Sequence, residues 1–248
     1  DNINIAGLGR ERIPVLVSGL AILSALFECF AIEQLQLSSG ALREGLLYEM
    51  LPDSHEMIIR TRTINGLIHK FHIDTLHAER VLEQVAFIFG QAAKPWALSD
   101  REFELLKAAT KLCEVGLLLE YKHHQKHGAY ILQHADLPGF DQADRQLLIA
   151  LVSLYKGDIN EDLLRQQSAT SADNAQRLLI VLRLAVILCR RRKDDVLPSY
   201  SVDFHPDELS IALPASWLDA HPLITDELCQ EHRFLSDIAY CLTVNSLA

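Results

Sequence analysis

The chain is poor in aromatic side chains, in positive charge and in the cysteine and glycine patterns that mark several common chemistries. Aromatic residues are 7% of the sequence against 49% hydrophobic residues in all, a balance that fits Leu/Ala-rich helices better than a β-sandwich. The formal net charge of −10 excludes the broad basic face of a general nucleic-acid binder, so DNA is not an expected partner. It leaves room for a local basic pocket that takes a small polyanion. The five cysteines, Cys29, Cys113, Cys189, Cys229 and Cys241, form no CxxC pair. They read as reduced thiols of a cytoplasmic protein, neither a zinc ribbon nor a disulfide scaffold. The longest apolar stretch, residues 13–32, is interrupted by Pro14, Gly19 and Glu28, so it reads as a buried helix and not as a membrane span. No secretory leader is expected, and the sequence has no Walker-type glycine loop and no GxSxG. Glu44, Glu49, Glu114 and Glu120 have no visible acid/base partner, and Cys113 lies in an apolar run where a thiol is inert.

What is present is mostly helical periodicity. Residues 13–31 predict one apolar helix, with Pro14 tolerated in its first turn. Residues 34–38 (QLQLS) alternate like a strand, and residues 41–50 predict a second helix. A lone strand cannot satisfy its own backbone groups, so residues 1–52 read as the end of an α/β domain. Pro52, Asp53 and Ser54 mark a boundary. Residues 53–195 are expected to be all-helical, with helices over 55–71, 75–90, 101–119, 129–133, 142–155, 161–166 and 172–192. Asp74, Asp141 and Ser171 stand at helix starts, and Ser99 with Glu102 matches a capping box. Residues 196–248 read as a small α+β tail, with a hairpin of strands 199–205 and 209–213 across Pro206 and Asp207. A helical stretch over 217–234 and a third strand over 238–244 complete it. The chain starts at Asp1 and not at methionine, and is expected to be a fragment.

Eleven histidines invite a metal. An HD-type helical phosphohydrolase needs a histidine, an adjacent His-Asp pair and a later aspartate around one cavity. No His-Asp dipeptide exists in the chain. His77 takes the first position, Cys113-Glu114 the pair and Val186 the last, which leaves too few donors for a metal held at about 2.0–2.2 Å. The expectation is an HD-like scaffold without its metal centre.

The cluster Lys122, His123, His124, Lys126 and His127 is the leading candidate for a ligand. Lysine and partly charged histidine favour anions, and a helix starting near Ala129 would add backbone N–H donors. The plainer reading is a solvated loop. The second basic run, Arg190, Arg191, Arg192 and Lys193, ends a predicted helix, where cations offset the helix dipole. Ser38, Ser39 and Gly40 before a helix, with Arg43 one turn in and Arg12 in a glycine-flanked loop, suit phosphate weakly.

Four stretches together resemble the exopolyphosphatase/guanosine pentaphosphate phosphatase (Ppx/GppA) family. They are Glu11-Arg12 with the following VSGLAIL, SSGALREGLLYEML from Ser38, LCEVGLLLEYKHHQKHGAYILQHADLPGF from Leu112, and RLLIVLRLAVILCRRRKDD from Arg177. The tail segment ELSIALPASWLDAHPL is more similar to the guanosine pentaphosphate phosphatase branch. The resemblance implies a mainly α chain: the end of a ribonuclease H-like domain, an HD-like helical domain and a small α+β domain. It implies hydrolysis of a terminal phosphate from pppGpp, giving ppGpp, or from inorganic polyphosphate, with magnesium, in a homodimer. The catalytic residues and magnesium ligands are expected upstream, so no catalytic residue is assigned in this chain. By resemblance, Arg12 and Arg43 lie on the guanosine-polyphosphate side of the cleft and the basic turn lines the polyanion path. The competing expectation is a non-enzymatic helical module that binds a nucleotide or a partner.

Overall fold

The computed structural model describes residues 13–32, 34–35, 55–193 and 197–247. It divides into two units, residues 1–38 and residues 39–248. In the first, helix α1 spans Ile13–Phe30. Gln34 and Leu35 carry no strand. The rest of the expected strand, the helix over 41–50, Arg12 and Arg43 lie outside the described residues.

The second unit is mainly helical. Helix α2 (His55–Lys70) is followed by α3 (Thr75–Ala92), capped by the Asp74 carboxylate, which accepts from the His77 N–H. Helix α4 (Asp100–Leu112) opens on the predicted capping box. The Ser99 hydroxyl takes the Glu102 N–H, and the Glu102 carboxylate takes the Ser99 N–H. That carboxylate also accepts from Thr170 and Asn174, so the cap ties α4 to the start of a later helix. Helix α5 spans His124–His134. Helix α6 (Gln142–Leu154) is capped by Asp141 and α7 (Glu161–Arg165) by Asn160. The long helix α8 (Ala172–Leu188), capped by Ser171, is buried on nearly every face. It is the central rod against which α3, α4 and α6 pack.

The tail has the elements read for it, with the helical stretch split in two and the third strand shifted from 238–244 to Cys241–Leu247. Strand β1 (Ser201–Phe204) runs antiparallel to β2 (Glu208–Pro214), with Phe204 opposite Leu209. The turn closes where the His205 N–H donates to the Glu208 carbonyl at 2.7 Å. Helices α9 (Ala215–Ala220) and α10 (Pro222–Ser236) then carry the chain back to β3 (Cys241–Leu247), which lies parallel to β2. Trp96, at the end of the α3 region, is buried, packs edge-on against Phe204 at 4.5 Å, and donates its indole N–H to the His205 carbonyl at 2.9 Å. One apolar core therefore runs from the helices through Leu209, Ile211 and Leu213 of the sheet.

Three expected boundaries move. The predicted helix over 101–119 stops at Leu112 and is followed by a 3₁₀ turn, Val115–Leu118. The helix placed at Ala129 starts five residues earlier, at His124. The last long helix stops at Leu188, short of the arginine run. The first two shifts share one tertiary contact, the approach of Gly116 to the start of α5.

Candidate functional site

The reversal between α4 and α5 carries the basic cluster. A methyl group on Gly116 would lie 2.0 Å from the His124 carbonyl oxygen and 2.5 Å from the Gly128 nitrogen. The 3₁₀ turn therefore presses its bare backbone against the backbone of α5. Gly128 faces the same contact, with Val115 and Val152 on its other side. That approach turns the chain out of α4 and starts α5 inside the histidine cluster, at a left-handed His123 (φ 58°). The apolar run splits as a result. Leu112, Cys113 and Val115 are buried, whereas Leu118 and Leu119 are exposed.

The cluster also splits. His124 is 5% exposed, which corrects the expectation that the whole cluster is solvated. Its Nδ1 lies 2.7 Å from the Tyr121 carbonyl and its Nε2 against the Tyr155 hydroxyl. A carbonyl only accepts, so Nδ1 carries the proton and Nε2 accepts from Tyr155. Burial holds the His124 pKa below its ordinary value, with Lys156, Arg192 and Arg190 pushing the same way. Burial pushes the Tyr155 hydroxyl up. His124 is thus a neutral anchor under the turn. Lys122, His123 and Lys126 face outward and His127 is partly exposed, 3.2 Å from Glu120. Lys156 joins this rim, with its ammonium 6.0 Å from the Tyr121 ring centroid. No local pattern in the sequence links it to residues thirty positions earlier.

The second basic run is committed elsewhere. Arg190 pairs with Glu227 at 3.1 Å, and the Arg191 guanidinium donates to His221 at 2.8 Å. Arg192, itself left-handed (φ 53°), reaches Glu114 and Asp74, the latter at 3.4 Å. Helix α8 has already ended, so these cross-element pairs, not the helix dipole, account for the run.

Arg192 also lies against two of the residues weighed as metal donors or their neighbours, Glu114 and Asp74. His77 is buried with Nε2 3.7 Å from Glu114 Oε1 and with Nδ1 lacking a hydrogen-bond partner. Burial pushes the Cys113 thiol far up, away from the thiolate a metal needs. Val186 offers no donor. Among the described residues no three or more His, Cys, Asp and Glu side chains come together as metal ligands. Magnesium needs several oxygen donors in octahedral array. The carboxylates beside His77, Asp74 and Glu114, already hold a guanidinium, so this set of residues does not fit that ion.

His77 and His124 share one consequence. Burial lowers the pKa of both from the ordinary 6.5. The unfolded chain then binds protons that the folded chain refuses, and stability rises with pH in that range. Unfolding free energy from urea titrations should be near its plateau between about pH 7 and 8 and fall as pH drops through 6.5 and below. His124→Gln should flatten that slope, and an unchanged slope would mean that His124 is not held neutral by the fold.

Among the described residues there stand, then, a mainly helical body with an exposed basic rim and an Arg192 guanidinium set against Glu114 beside His77. Comparison with known proteins places it. The family model described as Ppx/GppA phosphatase, domain III, matches residues 59–232, and the one described as Ppx/GppA phosphatase family matches residues 1–54. The chain belongs to the Ppx/GppA phosphatase family. Its relatives include the guanosine-5'-triphosphate,3'-diphosphate pyrophosphatase of Pseudoalteromonas translucida, 41% identical over 244 residues, 98% of this chain and 49% of the relative. The protein of that name from Aeromonas hydrophila is 41% identical over 229 residues, 92% of this chain and 46% of the relative. The one from Photobacterium profundum is 38% identical over 244 residues, 98% and 49%. The chain thus spans about half the length of the curated relatives it matches. No helix among the described residues is long and apolar enough to cross a membrane.

Proposed function

We propose that this chain is the C-terminal part of a phosphoanhydride hydrolase that releases the terminal phosphate of pppGpp, giving ppGpp, or of inorganic polyphosphate. The family membership and the relatives' printed name support the reaction. The observation that carries this chain's share of it is the rim itself. His124 is anchored inward, and Lys122, His123 and Lys126 are turned outward where a chain of phosphates can lie along them. In this reading residues 1–52 end a ribonuclease H-like domain, 53–195 form a degenerate HD-like domain and 196–248 the α+β tail. Arg12, Arg43 and His127 add to substrate binding, and His124 acts by holding the turn. Magnesium and the water-activating group belong to the catalytic half, the protein is a cytoplasmic homodimer, and the 248-residue chain binds without turning over.

The rim's contribution is Coulombic and therefore salt-sensitive. Lys122→Ala with Lys126→Ala should weaken binding of polyphosphate about two- to thirtyfold at low salt, at about 0.2–1 kcal/mol for each exposed charge, with the difference fading at high salt. Calorimetry in two salt concentrations checks this, and unchanged affinity at low salt would return the turn to a solvated loop. Phosphate release from pppGpp and polyphosphate tests the activity. With magnesium, a protein of the relatives' full length should release phosphate and the 248-residue chain should not. Turnover by the chain alone would overturn the division of labour. Silence from the longer protein would overturn the activity and favour a non-enzymatic module.

A further inference from the structure

Beside the rim stands an aromatic surface that phosphate alone does not use. Lys126, Tyr130 and His134 recur every four residues along α5 and are all exposed, so they form one stripe. Tyr130 is 61% exposed. The His134 ring lies 4.3 Å from it, with the planes 36° apart, and the His134 Nδ1–H donates to the Tyr130 carbonyl at 2.9 Å. Helical side chains lean towards the helix N-terminus. His134 therefore backs Tyr130, and Tyr130 leans towards Lys126. The neighbouring Tyr121 differs, because the Lys156 ammonium already lies near its ring.

We propose that this stripe is a nucleoside platform: the purine of a guanosine polyphosphate stacks on Tyr130 while its phosphates lie along Lys126, His123 and Lys122. The inference rests on the reading of the rim as a phosphate site and names its preferred ligand. One helical turn, about 5.4 Å, separates Tyr130 from Lys126, on the scale of the single ribose between a base and its first phosphate. A bare phosphate chain has no π-face and gains nothing from the ring. The same rim therefore holds a guanosine polyphosphate more tightly than an inorganic chain of equal charge. Tyr130 is in this account the residue that sets the preference.

Calorimetry on the 248-residue chain at low salt, with pppGpp and with inorganic tripolyphosphate, separates the parts. Tyr130→Leu should weaken pppGpp binding about five- to fiftyfold, the scale of one lost base–aromatic stack, and leave tripolyphosphate within about twofold. Tyr130→Phe should bind both ligands as the parent does, since the ring and not the hydroxyl stacks. Tyr121→Ala should leave the ratio between the ligands unchanged. Equal effects of Tyr130→Leu on both ligands, or none, would overturn the platform and make Tyr130 an ordinary exposed side chain. Lys122→Ala with Lys126→Ala should weaken both ligands together. If it weakens neither, the phosphate reading of the rim fails instead, a distinct outcome.

Discussion

Gly116→Ala should destabilise the chain by about 3 kcal/mol or more, a larger effect than is usual for an added methyl group. The new carbon would sit 2.0 Å from the His124 carbonyl oxygen and 2.5 Å from the Gly128 nitrogen. Both are backbone atoms of α5, held by helical hydrogen bonds, so no rotamer change relieves the overlap. The 3₁₀ turn and α5 must part, and the void left between Val115, Val152 and Gly128 adds the cost of poorer packing. Separation would also pull His124 from Tyr155 and disorder the rim, so binding of polyphosphate should fall with stability. Gly66 provides the control. It lies within α2 with open space around it, and Gly66→Ala should stabilise by about 0.5–1 kcal/mol. Urea unfolding of both variants checks the pair. A loss below about 1 kcal/mol for Gly116→Ala would show that the turn and α5 do not press together as described.

The second large effect lies at the joint between the central rod and the tail. Arg183 of α8 is 2% exposed and Glu231 of α10 is 4% exposed. The guanidinium meets the carboxylate twice, at 2.6 and 2.8 Å, donates a further bond to the Leu154 carbonyl, and lies 5.2 Å from the Phe234 ring centroid. A buried pair of this kind adds little over a well-packed apolar pair, because two charges lose their water. Removing one partner is different, since the other charge is left buried and alone. Arg183→Met and Glu231→Leu should each cost about 3–5 kcal/mol, while the double variant should recover most of that loss. A double-mutant cycle by urea denaturation measures it. Additive losses in the double variant would mean that the two groups act separately and that packing around each dominates.

The ion pair also shows why the tail and the helices behave as one body. Arg183 and Glu231 stand 48 positions apart, and Arg190 repeats the link to α10 through Glu227. Trp96 supplies a third tie, from the α3 region to the hairpin. The boundary read near residues 195 and 196 is a change of pattern along the chain, and the core crosses it without interruption.

Much of the architecture was legible because its signals are local. Asp74, Ser99 with Glu102, Asp141 and Ser171 each mark a helix start, since a side-chain oxygen reaches an N–H only two or three residues on. Helical periodicity marked the long helix α8, and two short strands on either side of Pro206 and Asp207 marked a hairpin. The reversal between α4 and α5 was not legible in the same way. Leu112 to Leu119 is a mostly apolar run in which Gly116 alone weakens a helix, and the break is fixed by Gly116 meeting a backbone eight residues further on. Gly128 looked like the end of a loop, yet it lies inside a helix because only a bare backbone fits there.

The candidate site divides along the same line. Residue type and spacing determined that a positive, histidine-rich turn exists in an otherwise acidic chain, and that the chain holds no His-Asp dipeptide. Those conclusions need only the chemistry of side chains. Which histidine turns inward, which arginine holds Glu114 in place of a ligand, and which distant lysine joins the rim were decided by the tertiary structure. His124 is buried because Tyr155 and the Tyr121 carbonyl satisfy its ring, and Arg192 is spent because Asp74 and Glu114 converge on it. Identical residue types at neighbouring positions take opposite roles, since burial is a property of the packed fold and not of the residue.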